Sequence, residues 1–226
     1  MRWDILSLFP DYFQGPFDES ILKRARERGL IDINLVNIRD FATDRHRRVD
    51  DRPYGGGPGM VMMPEPTCQA IRSVKREGTR VVHLSPQGAL LNATTCRRLA
   101  AYEHLVLLCG HYEGVDQRII DSEVDEEISI GDYVLSNGCA AAIIVVDAVS
   151  RFVPGVVGNE EAVGADSFEQ GIFDHPHYTR PEEFENRRVP TVLMSGNHRE
   201  IDRWRHREAW EKTQKIRPEL TKGTVR

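Results

Sequence analysis

Three times along this chain an apolar run of strand length breaks into a glycine-bearing turn: VVHLSPQG at 81–88, LVLLCGHYEG at 105–114 and ISIGDYVLSNG at 128–138. The middle run, Leu105–Cys109, has no polar position, which suits a strand buried on both faces of a sheet. Helical spacing fills the gaps, at Thr94–Ala101 and Gln117–Glu123. Upstream, Trp3–Phe9, Ile31–Ile38 and Arg80–Leu84 read as strands, and Ser20–Arg28, stopped by Gly29, and Thr67–Glu77 read as helices. Ala140–Phe152, apolar on nearly all sides, predicts a helix packed inside the structure. This alternation predicts an α/β fold with a mostly parallel sheet covered by helices.

In open sheets of this kind, ligands bind beyond the carboxyl ends of the strands, where exposed backbone groups can pair with them. Read singly, Gly88, Gly110, Gly114, Gly131 and Gly138 need be no more than permission for tight turns. Three such turns in one parallel sheet point to a shared pocket. The chain has no GxxxxGK[ST] and no GxGxxG after a strand, and the loop PYGGGPGM at 53–60 lacks the lysine of a phosphate cradle. A ligand without a polyphosphate is favoured. That glycine density, within an irregular stretch at 40–63, marks a functional loop rather than a linker.

Beyond Pro154 the character changes. Residues 155–175 have no strong periodicity and read as a linker or mobile loop. Pro181–Glu185 and Arg199–Lys215 then read as helices, the second with Ile201, Trp204 and Trp210 as a narrow apolar stripe. The expected organisation is a domain over 1–158, a linker over 159–175 and a small helical domain over 176–226. Net charge is -5, yet residues 176–226 carry 12 Lys plus Arg against 8 Asp plus Glu. A basic segment on an acidic body can supply an electrostatic footprint for phosphates. A second basic cluster, Arg45–Arg48 with Arg52, is diluted by Asp50 and Asp51.

Cys68, Cys96, Cys109 and Cys139 form no CxxC pair and read as buried thiols of a reducing compartment. In DHPH, Asp174–His177, the two histidines lack a third His or Cys at ligand spacing, so no metal site is assigned. Asp4, Asp11, Asp18 and Glu19 interrupt any signal-peptide pattern. The longest apolar run, Cys139–Val146, is far short of the about 20 residues that span a bilayer. The expectation is a cytoplasmic protein with no membrane segment.

Taken in order, DILSLFPDYF, VDDRPYGGGPGM, LSPQG, GHYEGVDQR, IGDYVLSNG, DAVSRFVPGVVG and HPHYTRP resemble the bacterial tRNA (guanine-N1)-methyltransferases, the TrmD family. The resemblance runs from Asp4 to about Trp204, nearly without gaps. It implies an α/β fold of the SPOUT type with a deep trefoil knot on the C-terminal side, and a homodimer with the active site at the subunit interface. Periodicity gives no sign of a knot, and general topology rules argue against one. The implied activity is methylation of guanosine at tRNA position 37 on N1, so the implied partner is the anticodon stem-loop.

The implied methyl donor is S-adenosylmethionine, held in bent form by Leu84, Ser85, Pro86, Gln87 and Gly88, by Gly110, Tyr112, Glu113 and Gly114, and by Ile130, Gly131, Tyr133, Leu135 and Gly138. Asp166 resembles the family's general base, and Arg151 the cation that stabilises the guanine and cofactor. Arg203, Arg205, Arg207 and Lys212 would contact the RNA backbone. The family is also associated with magnesium, which concerns either Glu113 or the RNA; the sequence does not decide between them. One departure stands out: after YVLS the family commonly has two glycines and an acid, where this chain has Asn137, Gly138 and Cys139. Two rivals are a non-catalytic RNA-binding protein built on the same scaffold and a related methyltransferase acting on rRNA. Asp166, Arg151 and all three turns kept together argue for the enzyme; HPHYTRP and GGGPG argue against the rRNA reading.

Overall fold

A computed structural model describes residues 1–222; residues 223–226, the end of the expected C-terminal domain, lie outside the described residues. The chain divides into two compact units, Met1–Gly158 and Asn159–Arg226.

In chain order the first unit contains β1 (Arg2–Ser7), α1 (Ser20–Glu27), β2 (Asp32–Asn37), β3 (Asp50–Asp51), β4 (Val61–Met62), α2 (Pro64–Val74), β5 (Arg80–Leu90), α3 (Ala93–Ala100), β6 (His104–Cys109), α4 (Gln117–Glu123), β7 (Glu126–Ser129) and α5 (Cys139–Ser150). Local chemistry sets the helix ends. Gly29, at φ 68°, closes α1. Asn92 and Asp116 cap α3 and α4 by accepting the N–H of Thr95 and of Arg118, each at 2.9 Å.

Five strands form a wholly parallel sheet in the order β2-β1-β6-β5-β7. Alternation along each strand feeds two cores. Trp3, Ile5, Val82, Leu105 and Leu107 face α1, α3 and α5 through Leu22, Leu99 and Val145. Leu6, Val81, Val106 and Leu108 face α2 and α4 through Ile71 and Ile119. Each such side chain taken from water stabilises the fold by roughly 1.5–3 kcal/mol. Asp4 is the buried charge in β1. Burial would raise its carboxyl pKa, but Arg2, Asn34 and His104 more than offset this and hold it below the usual carboxylate range.

The strand order reverses at β5 and β6: α3 connects them on one face, and α4 carries the chain back on the other face to β7, on the far side of β5. Such a switch point opens a crevice at the carboxyl ends of the strands. There β5 departs from regularity. Ile128 pairs with both Leu84 and Ala89, so Ser85–Gly88 bulges out of the sheet between them. Pro86 has no N–H to give a ladder, which favours the excursion there.

In the second unit are α6 (Glu160–Ala165), β8 (Glu183–Phe184), β9 (Arg187–Arg188), α7 (Thr191–Met194) and α8 (His198–Ile216). Two expectations change here. Pro181–Glu185 is not a helix but part of an antiparallel hairpin, β8 with β9. Glu185 and Asn186 both have positive φ, 51° and 62°, the two-residue turn that matches strand twist. Residues 159–175, expected as a linker, carry α6 and fold within this unit: Ile172 is buried and the Phe173 N–H donates to Thr213 Oγ1 of α8 at 2.8 Å. Helix α8 starts with Asn197 accepting the Glu200 N–H and buries Ile201, Trp204, Ala209 and Thr213, while Trp210 is half-buried. Among the described residues no helix is long and apolar enough to cross a membrane.

Candidate functional site

A cavity of about 360 Å³ opens where β5, β6 and β7 end, within the roughly 300–1,000 Å³ typical of small-molecule sites. All three turns line it. It gathers Leu84, Ser85, Pro86 and Gln87 from the β5 excursion, Gly110, Tyr112, Glu113 and Gly114 after β6, and Ile130, Gly131, Tyr133, Leu135 and Gly138 after β7. Gly88 is absent from the lining. A Cβ there would meet the Glu127 and Ile128 backbone at 2.4 Å, so this glycine lets the excursion return against β7.

The second and third turns are locked to each other. The Gly138 N–H donates to the Gly110 carbonyl at 2.8 Å, and a Cβ on Gly138 would stand 2.8 Å from Cys109 Cα. Beside it, Asn137 Oδ1 accepts the Cys139 N–H at 2.8 Å, so the residue before the N-cap Gly138 satisfies the first N–H of α5. Cys139 itself is buried, its Sγ 3.1 Å from Ser7 Oγ. Hydrogen bonding with Cys109 draws its thiol down to about 7, burial works against this, and Ser7 assists. The missing acid is therefore replaced by a buried thiol packed against β1.

The glycine loop at 53–60 also belongs to this site. Its flanks pair as β3 and β4, Asp50 with Met62 and Asp51 with Val61. The Glu113 N–H donates to the Met60 carbonyl at 3.0 Å and the Met62 N–H to the Gly114 carbonyl at 3.0 Å. Gly59, at φ 80°, lies so close to the Glu113 side chain that a Cβ would collide with it. The loop thus straps the second turn and holds Glu113 on the pocket wall. Tyr112 in that turn has φ 59°, a strained backbone for a bulky residue. Burial raises the Tyr112 phenol above its ordinary value, and Asp50 adds to this.

Sequence reasoning missed three pocket residues of chemical interest. His83 Nδ1 lies 2.8 Å from Glu127 Oε1, and His111 Nδ1 is buried with no hydrogen-bond partner among the described residues. Val134, 83% exposed, stands on the rim. A histidine inside the otherwise apolar run VVHL was the available signal for the first. Burial lowers the His83 imidazole below its ordinary 6.5, with Glu127 pulling the other way. Below pH about 6.5 the unfolded chain therefore binds a proton that the folded chain resists, so this contribution to stability is full above that pH and declines on acidification. The urea midpoint should fall from pH 7 to pH 5, and His83→Gln should make that fall shallower; an identical slope would remove His83 from the effect.

The two expected catalytic residues lie in different units. Arg151 follows α5 as its C-terminal cap in the first. Asp166 follows α6 in the second and lines a cavity of about 300 Å³ with Asp174, His175, Asp202, Arg205 and His206. On α8, Arg203, Arg205, Arg207 and Lys212 are exposed. The three arginines have acidic neighbours, Glu200 at 2.8 Å, Asp202 at 3.6 Å and Glu208 at 3.1 Å, which dilute the positive face.

A switch-point cavity walled by three backbone turns defines an α/β protein built to hold a small ligand at its strand ends. The sequence profile described as tRNA (Guanine-1)-methyltransferase TrmD matches residues 1–223, so the chain belongs to that family. It is 66% identical over 217 residues, 96% of this chain and 98% of the relative, to a tRNA (guanine-N(1)-)-methyltransferase of Protochlamydia amoebophila. A protein of the same description from Dictyoglomus turgidum is 51% identical, with 99% of this chain and 91% of the relative covered. The Chlamydia pneumoniae relative is 56% identical, and the chain spans 61% of its length.

Proposed function

We propose that this protein transfers a methyl group from S-adenosylmethionine to N1 of guanosine 37 in tRNA, beside the anticodon. The observation that carries the reading is one cavity walled by three turns, in a chain that matches the TrmD family almost end to end. The cavity suits the cofactor on its own terms. His111 Nδ1, buried on its wall with no hydrogen-bond partner among the described residues, calls for a polar ligand. Leu135 and Pro86 give apolar walls, backbone groups of the turns can read an adenine edge, and Glu113 and Glu127 favour a cation. The same two carboxylates offer oxygen ligands of the kind magnesium takes. When bound, S-adenosylmethionine supplies a methyl group activated on a sulfonium.

Guanine N1 carries a proton, and its removal moves negative charge toward O6. Asp166 takes that proton, help worth roughly 10² to 10⁴-fold in rate. Arg151 places positive charge where O6 becomes anionic, an electrostatic contribution of similar size. Residues 1–158 form the cofactor domain, and the second unit, which begins at Asn159 and includes the segment expected as a linker, forms the tRNA-binding domain. The arginines of α8 meet the phosphates, and an unpaired loop base is swung out at small cost.

The SPOUT knot belongs to the same proposal. The segment after edge strand β7 leads past the Ser85–Gly88 excursion to α5, which packs on β6 and β1, and that path supports a threaded chain. The working form is a cytoplasmic homodimer; exposed Ile144 and Val134 support a further apolar contact. Incubation with methyl-labelled S-adenosylmethionine and unmodified tRNA, then nucleoside mapping, should yield 1-methylguanosine at position 37. Label at another position, or in rRNA alone, would overturn the assignment.

A further inference from the structure

We propose that Cys109 and Cys139 form a redox-active pair, in which Cys139 attacks a hydroperoxide and Cys109 resolves the product into a disulfide. Cys139 stands where the family commonly carries an acid, and the proposed methyl transfer uses neither thiol. Both are buried, one at the last residue of β6 and the other at the first residue of α5. The Gly138 N–H on the Gly110 carbonyl, at 2.8 Å, holds these two segments side by side. The two thiols share a hydrogen bond.

Their surroundings divide the work between them. The Cys109 S–H donates to Cys139 Sγ. Ser7 Oγ accepts the Phe9 N–H at 2.9 Å, so its own hydrogen is free for the same sulfur, 3.1 Å away. Cys139 also begins a helix of 12 residues, whose N-terminal dipole favours an anion. These donors, Cys109 foremost, stabilise a thiolate and bring the Cys139 thiol down to about 7 against the opposing effect of burial. Burial pushes Cys68, Cys96 and Cys109 the other way. Cys139 is thus set up as the attacking sulfur and Cys109 as the thiol that keeps its proton. Gly110 and Gly138, each next to one of the cysteines, wall the cavity and bring no side chain, which gives a small peroxide its approach.

The chemistry closes without a further reactant. The Cys139 thiolate attacks one peroxide oxygen, the O–O bond breaks, and the other oxygen leaves with the electron pair and takes a proton as an alcohol or water. Cys139 becomes a sulfenic acid. The Cys109 sulfur then attacks the Cys139 sulfur; an S–S bond forms, the S–O bond breaks, and hydroxide leaves with the Cys109 proton as water. Two thiols lose two electrons and one hydroperoxide gains them. The disulfide ties the second and third turns of the cavity covalently.

The test uses the full-length chain, fully reduced and then freed of reductant. Hydrogen peroxide should consume two of the four thiols, peptide mass spectrometry without reduction should find Cys109 joined to Cys139, and dithiothreitol should restore both. Cys109→Ser keeps a hydrogen-bond donor beside Cys139 but removes the resolving sulfur, so a dimedone probe should label Cys139 there as a sulfenic acid. Cys139→Ser should slow thiol loss at least about tenfold. Cys68 is the internal control: it is the least buried of the four, and exposure alone would have it oxidise first. Retention of all four thiols, oxidation confined to Cys68, or a folded Cys109→Ser protein without label on Cys139 would each overturn the pair.

Discussion

Asp166→Ala is expected to lower the single-turnover methylation rate at least about a hundredfold while S-adenosylmethionine affinity stays nearly constant. Two readings of this residue diverge completely. As a solvated acid after α6 it would matter little, since surface substitutions usually change stability within about 0.5 kcal/mol. As the base that takes the N1 proton it is needed only in the transition state, so its loss falls on the chemical step. Asp166 does not line the 360 Å³ cavity, which is why cofactor binding should be spared. Arg151→Ala should show a comparable rate loss, and the double variant should lose less than the two combined if both groups act on one developing charge. Full single-turnover activity in Asp166→Ala, with the methyl still on N1, would remove it from the mechanism.

The parallel sheet was legible because its strands carry their environment in their composition. Leu105–Cys109 has nothing polar to show solvent, and only a central strand covered on both faces needs that. The pocket was legible in part for the same reason: each apolar run stops at a glycine turn, and strand ends in a parallel sheet converge. What the sequence could not show is what those turns touch. The need for Gly59 comes from Glu113, and that for Gly88 from the β7 backbone, partners that only the fold brings near.

The misread segments failed for a local reason. Pro181–Glu185 offers a plausible first helical turn, yet Glu185 and Asn186 adopt the left-handed backbone of a tight hairpin. Asn was the signal, since it tolerates that region better than most residues. The bulge in β5 hid behind its proline, which ended the expected strand at Leu84 although pairing resumes at Ala89. Residues 159–175 lack periodicity because their order comes from contacts such as Phe173 with Thr213.

Gly138→Val should separate the architecture of the pocket from its contents. The natural expectation is a side chain intruding on the ligand, but the Gly138 Cα faces backbone: a Cβ would stand 2.8 Å from Cys109 Cα and 2.9 Å from Gly110 N. Backbone cannot rotate aside, so the second and third turns must part and the N-terminal end of α5 must shift. Overpacking of this kind costs about 1–3 kcal/mol, which for a chain of this size lowers Tm by roughly 2–12 °C. Cofactor affinity should fall with it, because two of the three walls move. Ser85→Trp provides the contrast. Ser85 is only half-buried and sits on the excursion from β5, so an indole there can enter the cavity without displacing the sheet. Its Tm should stay within about 3 °C of the parent's, while calorimetry should show S-adenosylmethionine bound at least about tenfold more weakly, since filled volume excludes the ligand. A parental Tm in Gly138→Val would deny the close packing of the two turns. Parental affinity in a folded Ser85→Trp would deny that the ligand occupies this cavity at all.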